Sequence, residues 1–295
     1  MTLKDTVLAT IIILVWGVNF VVIAIGLETI PPILMGGLRF LCVFVLGCWF
    51  VRWPKMPLKW ILAYALTLSF AQFALLFFAM AVGMPAGLAS LVLQSQALFT
   101  LVFAFLILKE QVKASQILAI SIAGSGLAII GSSADDQMTT LGFMVTLLAA
   151  ACWAAGNLVT RTISQKGYKA DVNLVVWSAL FACPPFFMLS YWVEGPELIL
   201  HALSNTQLSG VLSLLYLSLI ATLVGYTLWS YLLSQYPAGQ VAPLTLGVPM
   251  VGLASASLFL NEALEGWQLI GIACVMLGLM INMRIDKLLK RLLFK

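Results

Sequence analysis

Ten runs of roughly 17–25 mostly apolar residues recur along this chain, each long enough to cross a hydrocarbon layer about 30 Å thick. They lie near residues 6–26, 33–51, 60–81, 87–108, 115–131, 141–159, 172–192, 209–231, 240–260 and 267–283. In lipid the backbone must satisfy its own polar groups, which leaves helices or a closed barrel. Barrel strands alternate in polarity and last only about 10 residues. The unbroken runs therefore predict an all-α polytopic membrane protein with ten transmembrane helices. Composition agrees: 62% of the 295 residues are hydrophobic and 9% charged, against about 25% charged in soluble domains. The first run follows Lys4. It is long for the apolar core of a signal peptide and lacks a small-residue cleavage site, so it reads as a retained span.

The charges predict orientation. With the N-terminus inside, the inner loops hold Arg52, Lys55, Lys59, Lys109, Lys113, Arg161, Lys166 and Lys169, and the tail holds Arg284, Lys287, Lys290, Arg291 and Lys295. The outer loops hold Glu28, Asp135, Asp136, Glu194, Glu197, Glu262 and Glu265, without a single Lys or Arg. This segregation follows the positive-inside rule and predicts a multi-pass protein of the cell inner membrane with both termini cytoplasmic. The net charge of +4 is then topological and gives no reason to expect nucleic acid as a partner. The expected partners are the bilayer, with the basic tail resting on anionic lipid, and a small-molecule substrate. Cys42, Cys48, Cys152, Cys183 and Cys274 all fall inside spans at spacings that match no metal motif, so they read as small apolar residues. No cofactor or metal is expected.

The chain also repeats itself. Residues 84–131 align without gaps on 236–283: Pro85-Ala86-Gly87 matches Pro237-Ala238-Gly239, Glu110 matches Glu262, Gln116 matches Gln268, and Gly126-Leu127 matches Gly278-Leu279. About a quarter of the aligned positions are identical. Trp16 and Asn19 correspond to Trp153 and Asn157, with the change of offset absorbed by a longer loop near 194–208. The expected organisation is a five-helix repeat over 1–131, an outer linker over 132–140 and a second repeat with a basic cytoplasmic tail over 141–295. Five is odd, so the second repeat enters the membrane upside down. Inverted repeats are a transporter architecture, since they permit two conformations open to opposite sides.

Trp16-Gly17-Val18-Asn19-Phe20 in the first span, Pro85-Ala86-Gly87-Leu88-Ala89 entering the fourth, and Glu110 and Glu262 after the fourth and ninth together resemble the EamA family of the drug/metabolite transporter superfamily. The resemblance covers essentially the whole chain. It implies an efflux carrier for amino-acid-pathway metabolites of the cysteine and O-acetylserine kind. It also implies a central cavity lined by spans 1–4 and 6–9, with spans 5 and 10 peripheral. Export of a drug or another metabolite through the same fold, or a passive channel, are the alternatives.

Polar residues deep in spans are the site candidates, because they are expensive there. Asn19 and Asn157 offer donors and acceptors to a zwitterion, or hydrogen bonds between helices. Gln72, Gln94 and Gln96 lie in spans 3 and 4, and the last two cannot share one face. Arg39, a charge well inside a span, either holds a substrate carboxylate or snorkels outward toward Glu28. Trp16, Trp153 and Tyr226 complete the expected substrate-binding set as cavity walls. Pro243 and Pro249 interrupt the ninth span, whereas the fourth has no proline. Glu110 and Glu262 are expected to place a carboxylate at the positive ends of the fifth and tenth helices. Ser121/Ser125 and Gly124/Ala128 give the fifth span small-residue spacing that permits close approach within the fold or in a homodimer. No span holds a central Asp or Glu, and the sole histidine, His201, falls in an outer loop. A buried-carboxylate proton relay, an intramembrane protease and enzymes generally are therefore disfavoured, and the expected mechanism is alternating-access efflux, either down a metabolite gradient or coupled through edge groups such as Glu110.

Overall fold

The computed structural model describes residues 1–132, 138–236 and 238–283, so Asp135, Asp136 and the basic tail from Arg284 lie outside the described residues. The protein is an all-helical polytopic membrane protein. Its helices are α1 Leu3–Leu27, α2 Pro32–Gly47, α3 Leu58–Ala81, α4 Ala86–Leu108, α5 Ala114–Ser132, α6 Thr140–Gln165, α7 Val172–Val193, the short α8 Pro196–Ser204, α9 Leu208–Gln235, α10 Ala242–Leu260, preceded by the four-residue helix Ala238–Val241, and α11 Gly266–Asn282. Among the described residues, eight helices are long and apolar enough to cross a membrane. The apolar α2 and α11 have 16 and 17 residues and fall short of that length. The helix α8 occupies a stretch expected to be loop.

Local chemistry sets the helix ends. Thr2, Thr139 and Asp171 accept from the amides of Asp5, Gly142 and Asn173 at the starts of α1, α6 and α7. At the end of the bundle that carries Glu194 and Glu262, here the acidic end, two helix starts take carboxylates from distant residues. The amides of Ile33 and Leu34 donate to Glu194 at 2.6 and 3.0 Å. Those of Ala86 and Gly87 donate to Glu262 at 2.7 and 2.9 Å. Each carboxylate satisfies two orphan amides and faces the positive end of a helix dipole.

This corrects the role expected for the two glutamates. Glu262 serves α4, not α11, which is capped instead by Glu265 and Gln268 in a reciprocal capping box. Among the described residues Glu110 caps no helix start; it pairs with Arg161. The cause is local: Lys109 and Asn261 take left-handed conformations, φ 54° and 55°. Each turn folds the next residue back over the helix it leaves, so its glutamate does not lead into the helix that follows.

Two helices carry π-helical stretches, Ala65–Ala71 in α3 and Tyr216–Val224 in α9. Tight 3-10 turns interrupt α4 at Leu93–Ser95 and occupy Ala242–Leu246 of α10. Pro243 accounts for the second. The first arises without proline in the helix. Glycines set the close crossings. A Cβ on Gly252 would meet the Ser90 hydroxyl at 2.3 Å, and one on Gly17 would meet Val251 at 2.4 Å.

The α5–α11 pair is packed backbone to backbone. A Cβ at Gly126 would stand 2.6 Å from the Gly271 carbonyl oxygen, and one at Gly278 would stand 2.7 Å from that of Ala119. The buried face of α5 is Ala119, Ala123, Gly126 and Ile130. Ser121, Gly124, Ser125 and Ala128 are exposed, so the close approach within the fold uses a different stripe from the one expected. Gly278→Leu is expected to destabilise the protein by about 1–3 kcal/mol, the usual cost of overpacking, while Gly124→Leu leaves stability unchanged. Thermal unfolding in detergent, followed by loss of the monodisperse elution peak, checks both.

Candidate functional site

Arg39 lies in the middle of α2, three residues after Gly36 and thus on the same side of the helix. A Cβ on Gly36 would strike Phe186 of α7, so this side faces the bundle. The arginine follows it inward. Its side chain is 3% exposed, and it neither snorkels nor reaches Glu28. One terminal nitrogen donates to Thr222 Oγ1 at 3.0 Å. The guanidinium lies over the Phe73 ring, 4.2 Å from its centroid, an attraction worth about 2 kcal/mol when desolvated. Nε and Nη1 are buried with no hydrogen-bond partner. Among the described residues, no carboxylate pairs with Arg39. A guanidinium keeps its proton in a protein, so this is a buried cation with unused donors.

The surroundings come from the irregular parts of the fold. Arg39, Phe40, Tyr64, Leu68, Ser69, Phe73, Val175, Thr222 and Tyr226 line one cavity. Leu68 and Ser69 belong to the π stretch of α3, and Thr222 to that of α9. In the latter the Thr222 hydroxyl donates to the Leu217 carbonyl at 2.7 Å, and the Trp16 indole donates to that of Ala221 at 2.9 Å. The π geometry thus presents Thr222 to Arg39 and a main-chain acceptor to α1. The Trp16 ring also packs on Tyr226 and Trp229, with centroids 5.5 Å apart in both pairs. The Ser69 and Ser178 hydroxyls lie 3.2 Å apart at the same level. The cavity's free volume is about 10 Å³, the lower limit for a single water, so this conformation is closed around the arginine.

The other sequence-nominated residues divide. Asn157 donates to Gln96 at 2.6 Å and to Thr100 at 3.1 Å, tying α6 to α4. Gln94 points elsewhere, making a long 3.5 Å contact to the Thr245 carbonyl of α10. The opposite faces expected for Gln94 and Gln96 are thus realised. Asn19 is buried with its Oδ1 unpartnered, so it is not engaged as Asn157 is. Gln72 is buried in α3, and Trp153 packs beneath α3 against the core. The cavity therefore unites Arg39 and Tyr226, with Trp16 against it, and adds Ser69, Thr222, Tyr64 and Phe73. Ser69 and Thr222 could have been found as hydroxyls inside apolar spans, but nothing in the sequence marks a π stretch. A roomier cavity, about 310 Å³, opens at the acidic end beside Glu262 and Gln268. Its one charged side chain is already held by the start of α4, so size is a poor guide to the site here.

Comparison with known proteins agrees with this architecture. The EamA-like transporter family matches residues 5–132 and 140–284. The chain is 47% identical over 285 residues to a probable amino-acid metabolite efflux pump of Escherichia coli K12, covering 96% of this chain and 95% of that one. A pump of the same description from Salmonella typhimurium LT2 matches with the same identity and coverage. A crystal structure of a protein 15% identical in sequence shares the fold, with a TM-score of 0.64 over 98% of this chain and 100% of that one. This chain belongs to the EamA-like transporter family.

Proposed function

We propose that this efflux transporter exports small amino-acid-pathway metabolites of the cysteine and O-acetylserine class across the inner membrane by alternating access, and that Arg39 holds the substrate carboxylate. The observation that carries the site is the buried guanidinium with two unpartnered donor atoms. A carboxylate arriving there gains charge-assisted, fork-shaped hydrogen bonds that no protein group supplies. The class of solute rests on the description of the two relatives at 47% identity.

In this reading α1–α5 form one repeat and α6, α7 and α9–α11 the other, with α2 and α11 also crossing the bilayer and both termini cytoplasmic. Recurrence of irregularities supports it. Tyr216 follows Ala65, and Asn261 follows Lys109, by 151 and 152 positions. The π stretches and the left-handed helix ends they mark thus recur at nearly the sequence offset of the repeat. Substrate would sit where both π stretches meet, between the repeats, as transporter sites do.

Export of labelled cysteine and O-acetylserine from cells with and without the protein tests the function; equal export sinks it. The asparagines separate in a second measurement. Asn157→Ala is expected to lower stability by about 0.6–1.7 kcal/mol, the scale of an interhelical hydrogen bond in lipid. Asn19→Ala, which removes an unpaired buried oxygen, is expected to keep stability and reduce export. Unfolding midpoints and export rates read both.

A further inference from the structure

The same turn occurs twice in this fold and does two different things. At the end of α4 the amides of Lys109 and Glu110 both turn back to the Ala104 carbonyl, the second at 3.3 Å. At the end of α10 the amides of Asn261 and Glu262 turn back to the Ala256 carbonyl, the second also at 3.3 Å. The two glutamates therefore leave the backbone in one geometry. Glu262 grips the amides of Ala86 and Gly87 in the Pro85-Ala86-Gly87 start of α4. The repeat-matched sequence for Glu110 is Pro237-Ala238-Gly239, of which Ala238 and Gly239 begin the four-residue helix Ala238–Val241 before α10. Glu110 is turned elsewhere: both its oxygens meet the Arg161 guanidinium, at 2.6 and 2.9 Å.

Packing along α4 follows the same asymmetry. Every residue from Ala86 to Ser95 is buried, while Gln96, Ala97 and the run from Phe99 to Phe103 are partly exposed. Gly87 sits against Ala256 and Gly252 against Ser90, so the acidic ends of α4 and α10 are sealed where Glu262 holds.

We propose that Glu262 and Glu110 are alternating latches, one for each face of the membrane, and that Arg161 parks the inner latch in its released position. This rests on the alternating-access reading above. With the outer face shut, Glu262 closes on α4 and Glu110 is held by Arg161. When the inner face shuts, Glu110 leaves Arg161 for the amides of Ala238 and Gly239, and Glu262 lets go. The repeat positions corresponding to Arg161 are the apolar Ile23 and Ala24. A released Glu262 meets no cation at those two positions, and Arg161 thereby favours the outward-shut state.

The test places a reporter on the outer seal and a mutation on the opposite face. Ser255, buried in the outer half of α10, is changed to Cys in the full chain with the five native cysteines replaced. The protein is reconstituted in vesicles of one orientation, and a membrane-impermeant thiol reagent is applied outside. Glu262→Gln is expected to raise labelling about tenfold. Arg161→Gln is expected to raise it about 2- to 5-fold from the far side, the scale of one exposed ion pair. Arg161→Lys should restore the parent rate, and Glu110→Gln added to Arg161→Gln should cancel the rise. No change or a decrease with Arg161→Gln, or a rise that persists without Glu110, overturns the latch pair. Export by the parent and a change of its labelling on adding O-acetylserine, which has no thiol to consume the reagent, are measured alongside. If both hold while Arg161→Gln is inert, the latches fail and alternating access stands. If the parent neither exports nor responds to O-acetylserine, the alternating-access reading itself fails and the latches fall with it.

Discussion

Arg39→Met is expected to abolish export while leaving the empty protein as stable as the parent or more so. In the proposed function the arginine serves the ligand and not the fold, so the two effects have opposite signs. Among the described residues its buried Nε and Nη1 have no hydrogen-bond partner, and its side chain donates to one neutral hydroxyl. A cation in that position is costly in the resting protein. An apolar side chain of similar length removes the cost and keeps most of the contact with Phe73. Removing one partner of a buried charge pair costs about 2–5 kcal/mol in affinity, a loss of roughly 30-fold or more. Export of carboxylate-bearing substrates should therefore fall to background. The same residue predicts what the parent recognises: decarboxylated analogues should be neither exported nor competitive. A thermal shift supplies the control. Substrate at 100 times its Kd stabilises a binding protein by about 2.7 kcal/mol; the parent should show this shift and Arg39→Met should not. Retained export in Arg39→Met, or a substrate shift that survives in it, would remove the arginine from the site.

The arginine also marks how far the sequence could be read. A charge inside an apolar run is visible at once, but its direction is not. What sends it inward is the glycine face of α2 against Phe186 and Phe187, a contact with a helix about 150 residues away. Helix positions were legible because a membrane segment must be apolar along its whole length, whoever its neighbours are. The π stretches were not, because Ala65–Ala71 and Tyr216–Val224 are ordinary apolar sequence and the extra residue per turn is a tertiary accommodation. The glutamates were misread for a related reason. An acidic residue beside a helix start looks like its cap, yet any helix start within reach can claim it, and Glu262 was claimed by α4. Asn19 and Asn157 show the limit of symmetry arguments: matched in sequence, they differ in the fold, where one is bonded to Gln96 and the other has an unpaired oxygen.

Gly252→Leu is the second substitution with a large expected effect, and it acts on the seal and not on the site. Gly252 lies where α10 meets α4, and even a methyl group there would come within 2.3 Å of the Ser90 hydroxyl. Ser90 is 1% exposed and bonded to the Gly87 carbonyl, so it has little room to withdraw. Four added carbons can be housed only if the acidic ends of α4 and α10 part. Overpacking of this kind costs about 1–3 kcal/mol, charged only to the conformation in which those ends are shut. The equilibrium then moves about 5- to 150-fold toward the state open at the acidic face, at 1.4 kcal/mol per factor of ten. Export should fall more than tenfold, because a carrier that cannot close behind its substrate does not complete a cycle. Binding should survive, since the Arg39 cavity is lined by α2, α3, α7 and α9 and contains no residue of α10. The expected signature is a substrate-induced thermal shift that persists while transport is lost, the reverse of Arg39→Met, which loses both. Normal export by Gly252→Leu would mean that the α4–α10 contact is static packing and that the gate lies elsewhere in the bundle.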